Sequence, residues 1–326
     1  MSGQSVMLYF SWSRPGEAEA PLGVLEDRFP ALFETRRMRY PAAQELADPV
    51  RFDQGIAGFL DHIQKPNFAE FAAYAEMQSG RPVAQVERIG DDGQGTLLSD
   101  QLLRGVDTLI LISFDSLRTG QQVAPEEVQA LRRFLDDPSH LVFVGPHHDI
   151  GAESDPSEEI GQAEQLAEFL HHGDHGIPPR QGFGGFARSL LAALGLPVEN
   201  RHGLRPLPSP DGTPAPAEIN IDADDLRLLA GVQALNLHPH LPHFERLAEA
   251  LGKVDVLARQ RIDPEAPLHP FTRNGRKTFD ALLQSSPGVF PGRVLIGDAT
   301  LFSSTAGGLE NLRRLWENVM QRPRYR

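Results

Sequence analysis

Cysteine is absent from this chain. Disulfides, thiolate metal ligands and a cysteine nucleophile are therefore all excluded. Lysine is scarce: Lys65, Lys253 and Lys277 are the only three, and arginine carries the remaining positive charge. No stretch approaches the roughly 20 apolar residues of a spanning helix. The first residues, MSGQSVMLYFSWSRPGEAEA, lack a basic region and carry only a very short apolar run, so they do not read as a secretory signal. A basic face is lacking too: 31 Lys and Arg stand against 44 Asp and Glu, a formal charge of −13. That argues against a general nucleic-acid binder. These absences lead us to expect a cytoplasmic protein with neither nucleic acid nor membrane as partner.

What is present is ordinary globular material. The 326 residues are 40% hydrophobic and 23% charged, enough for one large or two ordinary domains with a normal core. Between Phe52 and Met77 apolar residues recur at helical spacing, interrupted by Pro66, which predicts a loop and one or two helices. RPVAQVERI alternates as a strand does. GTLLSDQLLRG reads as a short helix leading into a buried strand, Thr108 to Ser113. VAPEEVQALRRFLDDP is the clearest helix: Pro125 suits its first turn, Glu126 and Glu127 sit where the helix dipole favours anions, and Val128, Leu131, Phe134 and Leu135 share a face. HLVFVG is the next buried strand. Strand, helix, strand with short connections predicts a parallel sheet. Further on, a helix is expected from about Glu158 to Leu170, and FARSLLAALGLP is a helix stopped by Gly195. RPLPSPDGTPAPAE is an exposed loop. LRLLAGVQALNL and VDVLARQR read as strands near a sheet edge, GRVLIGDATLF as a last buried strand, and GLENLRRLWENVMQ as a closing amphipathic helix.

The stretches VDTLILIS…VAPEEVQALRRFLDDPSHLVFVG, VDVLARQ and GRVLIGDATLFSS…GLENLRRLWENVM resemble the class I glutamine amidotransferase-like superfamily, over roughly residues 52 to 320. The likeness is to its non-catalytic branch, which includes accessory domains of transport and gliding-motility proteins. The resemblance implies a three-layer, flavodoxin-like α/β fold with a mostly parallel sheet. Residues 1–51 would be an extension packing on the core, and residues 52–326 the domain, with insertions at about 146–188 and 200–225. Catalytic members place a Gly-x-Cys-x-Gly turn after the central strand. Here the run is Gly145, Pro146, His147, His148, Asp149, and His147 takes the place of the thiol. Glutamine hydrolysis through a thioester is thereby ruled out. Open parallel sheets still keep their sites at the carboxyl ends of their strands.

Histidines cluster in three places: His147 and His148 with Asp149; His171, His172 and His175 with Asp174; and His238, His240 and His243. Imidazole and carboxylate suit Zn, Mn, Fe or Ni where no thiolate is present. Three such ligands and a water make a common catalytic site. The candidate metal ligands are therefore His147, Asp149, His171, His172, His175, His238 and His240. The candidate catalytic residues are His147, His148, Asp149 and Asp298, the last placed just after a buried strand. The bland alternatives are a solvated loop, a helix C-terminus stabilised by His171 and His172, and Pro-stiffened turns around His238. His62 and His140 are assigned to the solvated surface.

Asp115 and Arg118 follow the strand Thr108 to Ser113 at the same edge. Gly182, Gly184 and Gly185 precede a helix whose N-terminus, with Arg180 and Arg188, can receive an anion. The plainer reading is an entry loop with Phe183 and Phe186 packing down, or a lid. No strand precedes these glycines, so no nucleotide cofactor is expected. Asp115, Arg118, Arg180, Phe183 and Ser303 are the candidate substrate-binding residues. No Gly-x-Ser-x-Gly elbow exists to support a serine hydrolase. Two functions follow: an enzyme with a His/Asp-rich, divalent-metal-dependent, hydrolase-like site for a small polar substrate, or a non-catalytic ligand-binding or assembly domain. A homo-oligomer is compatible with either.

Overall fold

The computed structural model describes residues 4–18, 65–115, 119–148, 158–173, 184–304 and 309–322. Eight strands form the central sheet: β1 (Val6–Ser13), β2 (Ala84–Ile89), β3 (Thr108–Ser113), β4 (Leu141–Pro146), β5 (Glu218–Ile219), β6 (Val254–Arg261), β7 (Thr278–Ser285) and β8 (Arg293–Gly297). Their spatial order is β2-β1-β3-β4-β8-β7-β6-β5. The first five in that order run parallel, and β7, β6 and β5 continue the sheet antiparallel. The chain is thus α/β with a large, mostly parallel sheet.

Alternation along each strand builds two cores. Val6, Leu8, Phe10 and Trp12 of β1 join Ile110, Ile112, Leu141, Phe143 and Leu295 on one face. Met7 and Tyr9 join Leu109, Leu111, Val142, Val144, Val294 and Ile296 on the other. Both faces of these strands are buried, so they read as near-continuous apolar runs. The first face is covered by α1 (Ala69–Ser79) and α5 (Leu309–Gln321), where Phe71 meets Trp316 edge-on with ring centroids 5.4 Å apart. The second is covered by α2 (Pro125–Phe134) and α4 (Gly185–Leu194). A further helix, α3 (Glu158–His172), ends at the histidines discussed below. Among the described residues no helix is long and apolar enough to cross a membrane.

The strand β1 lies between β2 and β3, inside the sheet, with all eight of its residues buried. Several expectations are corrected. The expected helix around GTLLSDQLLRG is a set of turns, closed by the N–H of Leu103 on Ser99 O and ended by Gly105 at φ 77°. LRLLAGVQALNL is not a strand. Arg227 (φ 55°) and Gly231 (φ 75°) take left-handed backbone, and the Asp224 carboxylate accepts the N–H groups of Leu228 and Leu229 at 2.7 and 2.8 Å, so Leu228, Leu229 and Val232 are buried from turns. His140 is not a solvated histidine: its ring stacks on Phe134 at 4.1 Å and Nδ1 donates to Phe134 O at 2.7 Å.

Glu127 does more than complement the helix dipole. Its carboxylate caps α2 by accepting Ala124 N–H at 2.9 Å, but it is also fully buried and paired with Arg88 at 2.9 Å. Removing one partner strands the other charge in the interior. Glu127→Ala is expected to cost about 3–5 kcal/mol, to be read from the urea midpoint. A loss below about 1 kcal/mol, the range of an exposed pair, would contradict this role.

Candidate functional site

The carboxyl ends of β4 and β8 set the position of the site. Their register aligns Ile296 with Val144, so the residues just beyond, Asp298 and His147, leave the sheet side by side. His147 Nδ1 donates to Asp298 Oδ2 at 2.9 Å. The other carboxylate oxygen accepts Thr300 N–H at 2.9 Å and caps the short 3₁₀ turn Ala299–Phe302. The Asn200 amide donates to His147 O, and Arg188 in turn donates to Asn200 Oδ1 at 2.6 Å. The capping role and the site role of Asp298 are thus one arrangement.

Two loops bring the remaining imidazoles. Asn236 donates to Thr300 Oγ1 at 2.9 Å, while Gln260 of β6 donates to Asn236 O at 3.0 Å. This pins the segment carrying His238 and His240 beside Asp298. Leu241–Pro242 then pairs antiparallel with Gly203–Leu204. Gly203 O accepts a hydrogen bond from His172 Nε2, at the end of α3, at 2.7 Å, and Gly203 N–H donates to Glu168 Oε1 at 2.6 Å.

Five imidazoles converge as a result. Ring centroids lie 4.7 Å apart for His147 and His148, 4.9 Å for His147 and His238, 5.0 Å for His148 and His240, and 4.3 Å for His172 and His240. Two overlapping groups have ligand atoms within 4.8 Å of one another: His147, His238 and His240, and His148, His172 and His240. His148 is 1% exposed, and among the described residues neither of its ring nitrogens has a hydrogen-bond partner. An orphaned buried polar atom costs about 1–3 kcal/mol, so two on one ring call for a reason.

Burial first, and then the neighbouring imidazoles, hold the pKa of His148 and His240 well below the ordinary value, and that of His238 at about 3. These rings are neutral at physiological pH and carry lone pairs. Burial pushes the Asp298 carboxyl up, but the charge and hydrogen bond of His147 outweigh it and hold the group below the usual carboxylate range.

The other expected residues divide. His171 stands apart: Nδ1 donates to Pro267 O at 2.7 Å and Nε2 accepts Arg205 N–H at 3.0 Å, which leaves that ring no lone pair for a metal. His243 lies against Phe271, with centroids 4.7 Å apart. Asp115 is fully buried and accepts from Ser11 Oγ at 2.8 Å, Ser113 Oγ at 2.5 Å and Phe186 N–H at 2.9 Å. It anchors the start of α4, so that helix N-terminus is occupied by the chain's own carboxyl group, whose pKa burial drives up. Ser303 is buried at the end of the 3₁₀ turn, its N–H closing on Thr300 O. Arg118, Asp149, His175, Arg180 and Phe183 lie outside the described residues.

Two participants escaped sequence reasoning. Glu168 sits four residues before His172 on one helix, a spacing that does put both on one face. It is buried, and although burial raises its pKa, its interaction with His269, whose Nε2 lies 3.6 Å from Glu168 Oε1, holds it below the ordinary value. Gly203 carried no signal at all. A Cβ there would lie 2.6 Å from His148 Cδ2 and 2.7 Å from His172 Nε2.

No family model, curated protein or solved structure matches this chain.

Proposed function

We propose that the chain is a divalent-metal-dependent, hydrolase-like enzyme for a small polar substrate, with the ion held among the imidazoles at the carboxyl edge of the sheet. The observation that carries this is His148, buried with both ring nitrogens unpartnered in the middle of four other imidazoles. Neutral imidazole donors without thiolate fit Zn, Fe, Ni or Cu better than Mg or Ca. When bound, such an ion supplies Lewis acidity to a water or to a substrate oxygen. The chain's own groups do the orienting. Asp298 fixes the His147 ring and its tautomer at the edge of the site. Gly203 O fixes His172 in the same way.

The spatial order of the five parallel strands supports a flavodoxin-like reading: in chain order they lie second, first, third, fourth, fifth. The place of His147 directly after β4 supports kinship with the cysteine-less branch of the amidotransferase-like superfamily.

Metal analysis of tag-free protein tests the proposal. Near-stoichiometric zinc, iron or nickel is expected, or uptake on addition with a rise in Tm. Chelation is expected to abolish hydrolysis of small esters, amides or phosphoesters, and re-addition of the ion to restore it. Protein that takes up none of these ions, and whose Tm none of them moves, would remove the metal reading. Asp298→Asn keeps the size of the side chain but weakens its grip on His147, and is expected to lower metal-dependent turnover by about 10–100-fold, measured with the ion in excess.

A further inference from the structure

The two groups of three share His240, and a neutral imidazole has one lone pair. With His240 neutral, both groups cannot be complete at once, and hydrogen bonds already decide where most of the lone pairs are. His172 donates from Nε2 to Gly203 O at 2.7 Å, which puts its lone pair on Nδ1. His147 donates from Nδ1 to Asp298, which puts its lone pair on Nε2. His238 is the exception. Its Nδ1 accepts the N–H of His240 at 3.3 Å, so the proton sits on Nε2 and the lone pair is already used. The group of His147, His238 and His240 therefore contains a ring whose lone pair already accepts a hydrogen bond. The group of His148, His172 and His240 includes His148, which is buried with neither ring nitrogen partnered among the described residues.

Resting on the metal reading above, we infer that the ion is coordinated by His148, His172 and His240, while His147, His238 and Asp298 stand outside the coordination as a hydrogen-bonding wall. In this division Asp298 holds His147 through its Nδ1–H, and the His238 Nδ1 accepts the His240 N–H.

The test is Co(II) titration of the full chain and of five single His→Ala variants, followed by the cobalt d–d absorption band, with circular dichroism confirming the fold of each. H148A, H172A and H240A are expected to lose more than the about 100-fold that removal of an outer partner can cost. H147A and H238A are expected to stay within about 10-fold of wild type and to keep its band. X-ray absorption of the wild-type zinc complex supplies a reading independent of any variant's folding: three imidazoles are expected. Four or five imidazoles, or equal loss of cobalt in H238A and H148A, would overturn this ligand set and leave the metal reading standing. Wild-type protein that binds neither cobalt nor zinc would overturn both.

Discussion

Replacing Gly203 by alanine is expected to lower zinc or cobalt affinity by about 100-fold while leaving the sheet folded. The added methyl has nowhere to go. Its ideal position lies 2.6 Å from His148 Cδ2, and 2.7 and 2.9 Å from His172 Nε2 and Cε1, distances that real side chains do not tolerate. Either the two rings move or the backbone does. If the backbone moves, it takes with it the carbonyl that holds His172 and the N–H that donates to Glu168. Both routes misplace donors of the centre. Overpacking of this kind costs about 1–3 kcal/mol of stability, a modest fall in Tm for a domain of this size. Metal titration and thermal unfolding of the same preparation separate the two effects. Wild-type affinity in Gly203→Ala would mean that His148 and His172 do not hold the ion.

Acid is expected to unfold the metal-free protein well above the pH at which carboxylates ordinarily titrate. Burial is the largest cause holding His171, His202 and His243 at about 4 and His238 at about 3, against 6.5 for an ordinary histidine. The unfolded chain therefore binds more protons than the folded chain between those values. Stability from these rings is complete above pH 6.5 and drains away as the pH falls through it. Each pKa unit is worth about 1.4 kcal/mol, so each ring costs roughly 1–2 kcal/mol between pH 7 and 5. Four together are comparable to the roughly 5–15 kcal/mol of a whole domain. Asp115 acts in the opposite sense, because its carboxyl is raised and the folded state gains the proton first, but it is outnumbered. Glu168 and Asp298, both lowered, add to the acid loss at lower pH. Chelated protein followed by far-ultraviolet circular dichroism from pH 7.5 to 4 reads the transition. A flat Tm across pH 7 to 5 would show these rings to be hydrated in the folded protein. Excess zinc is expected to move the transition to lower pH, since an ion bound only by the folded state adds stability by mass action.

The sequence by itself determined the middle of the sheet and the helices around it. β3, α2, β4, α4, β8 and α5 stand where apolar runs, Pro125, Gly195 and the stripe of Leu312, Leu315, Trp316 and Val319 place them, because those signals are local. It also placed His147 and Asp298 at strand ends, and their meeting follows from two neighbouring parallel strands in register. It did not distinguish His171 from His172. Adjacent residues on a helix point about 100° apart, and which one faces the site depends on what packs against α3: Pro267 and Arg205 take the first ring, Gly203 the second. Nor did it show that Asp115 spends its carboxylate on the start of α4, or that Leu228 and Leu229 are buried from turns rather than from a strand. Those outcomes hang on pairs of residues far apart in the chain. The five imidazoles converge for the same reason, since His147 and His148, His172, and His238 and His240 arrive on a strand end, a helix end and a loop. Composition supplied the donors and ruled out thiolate, while only the closing of Gly203–Leu204 on Leu241–Pro242 and of Asn236 on Thr300 brought them within reach of one another.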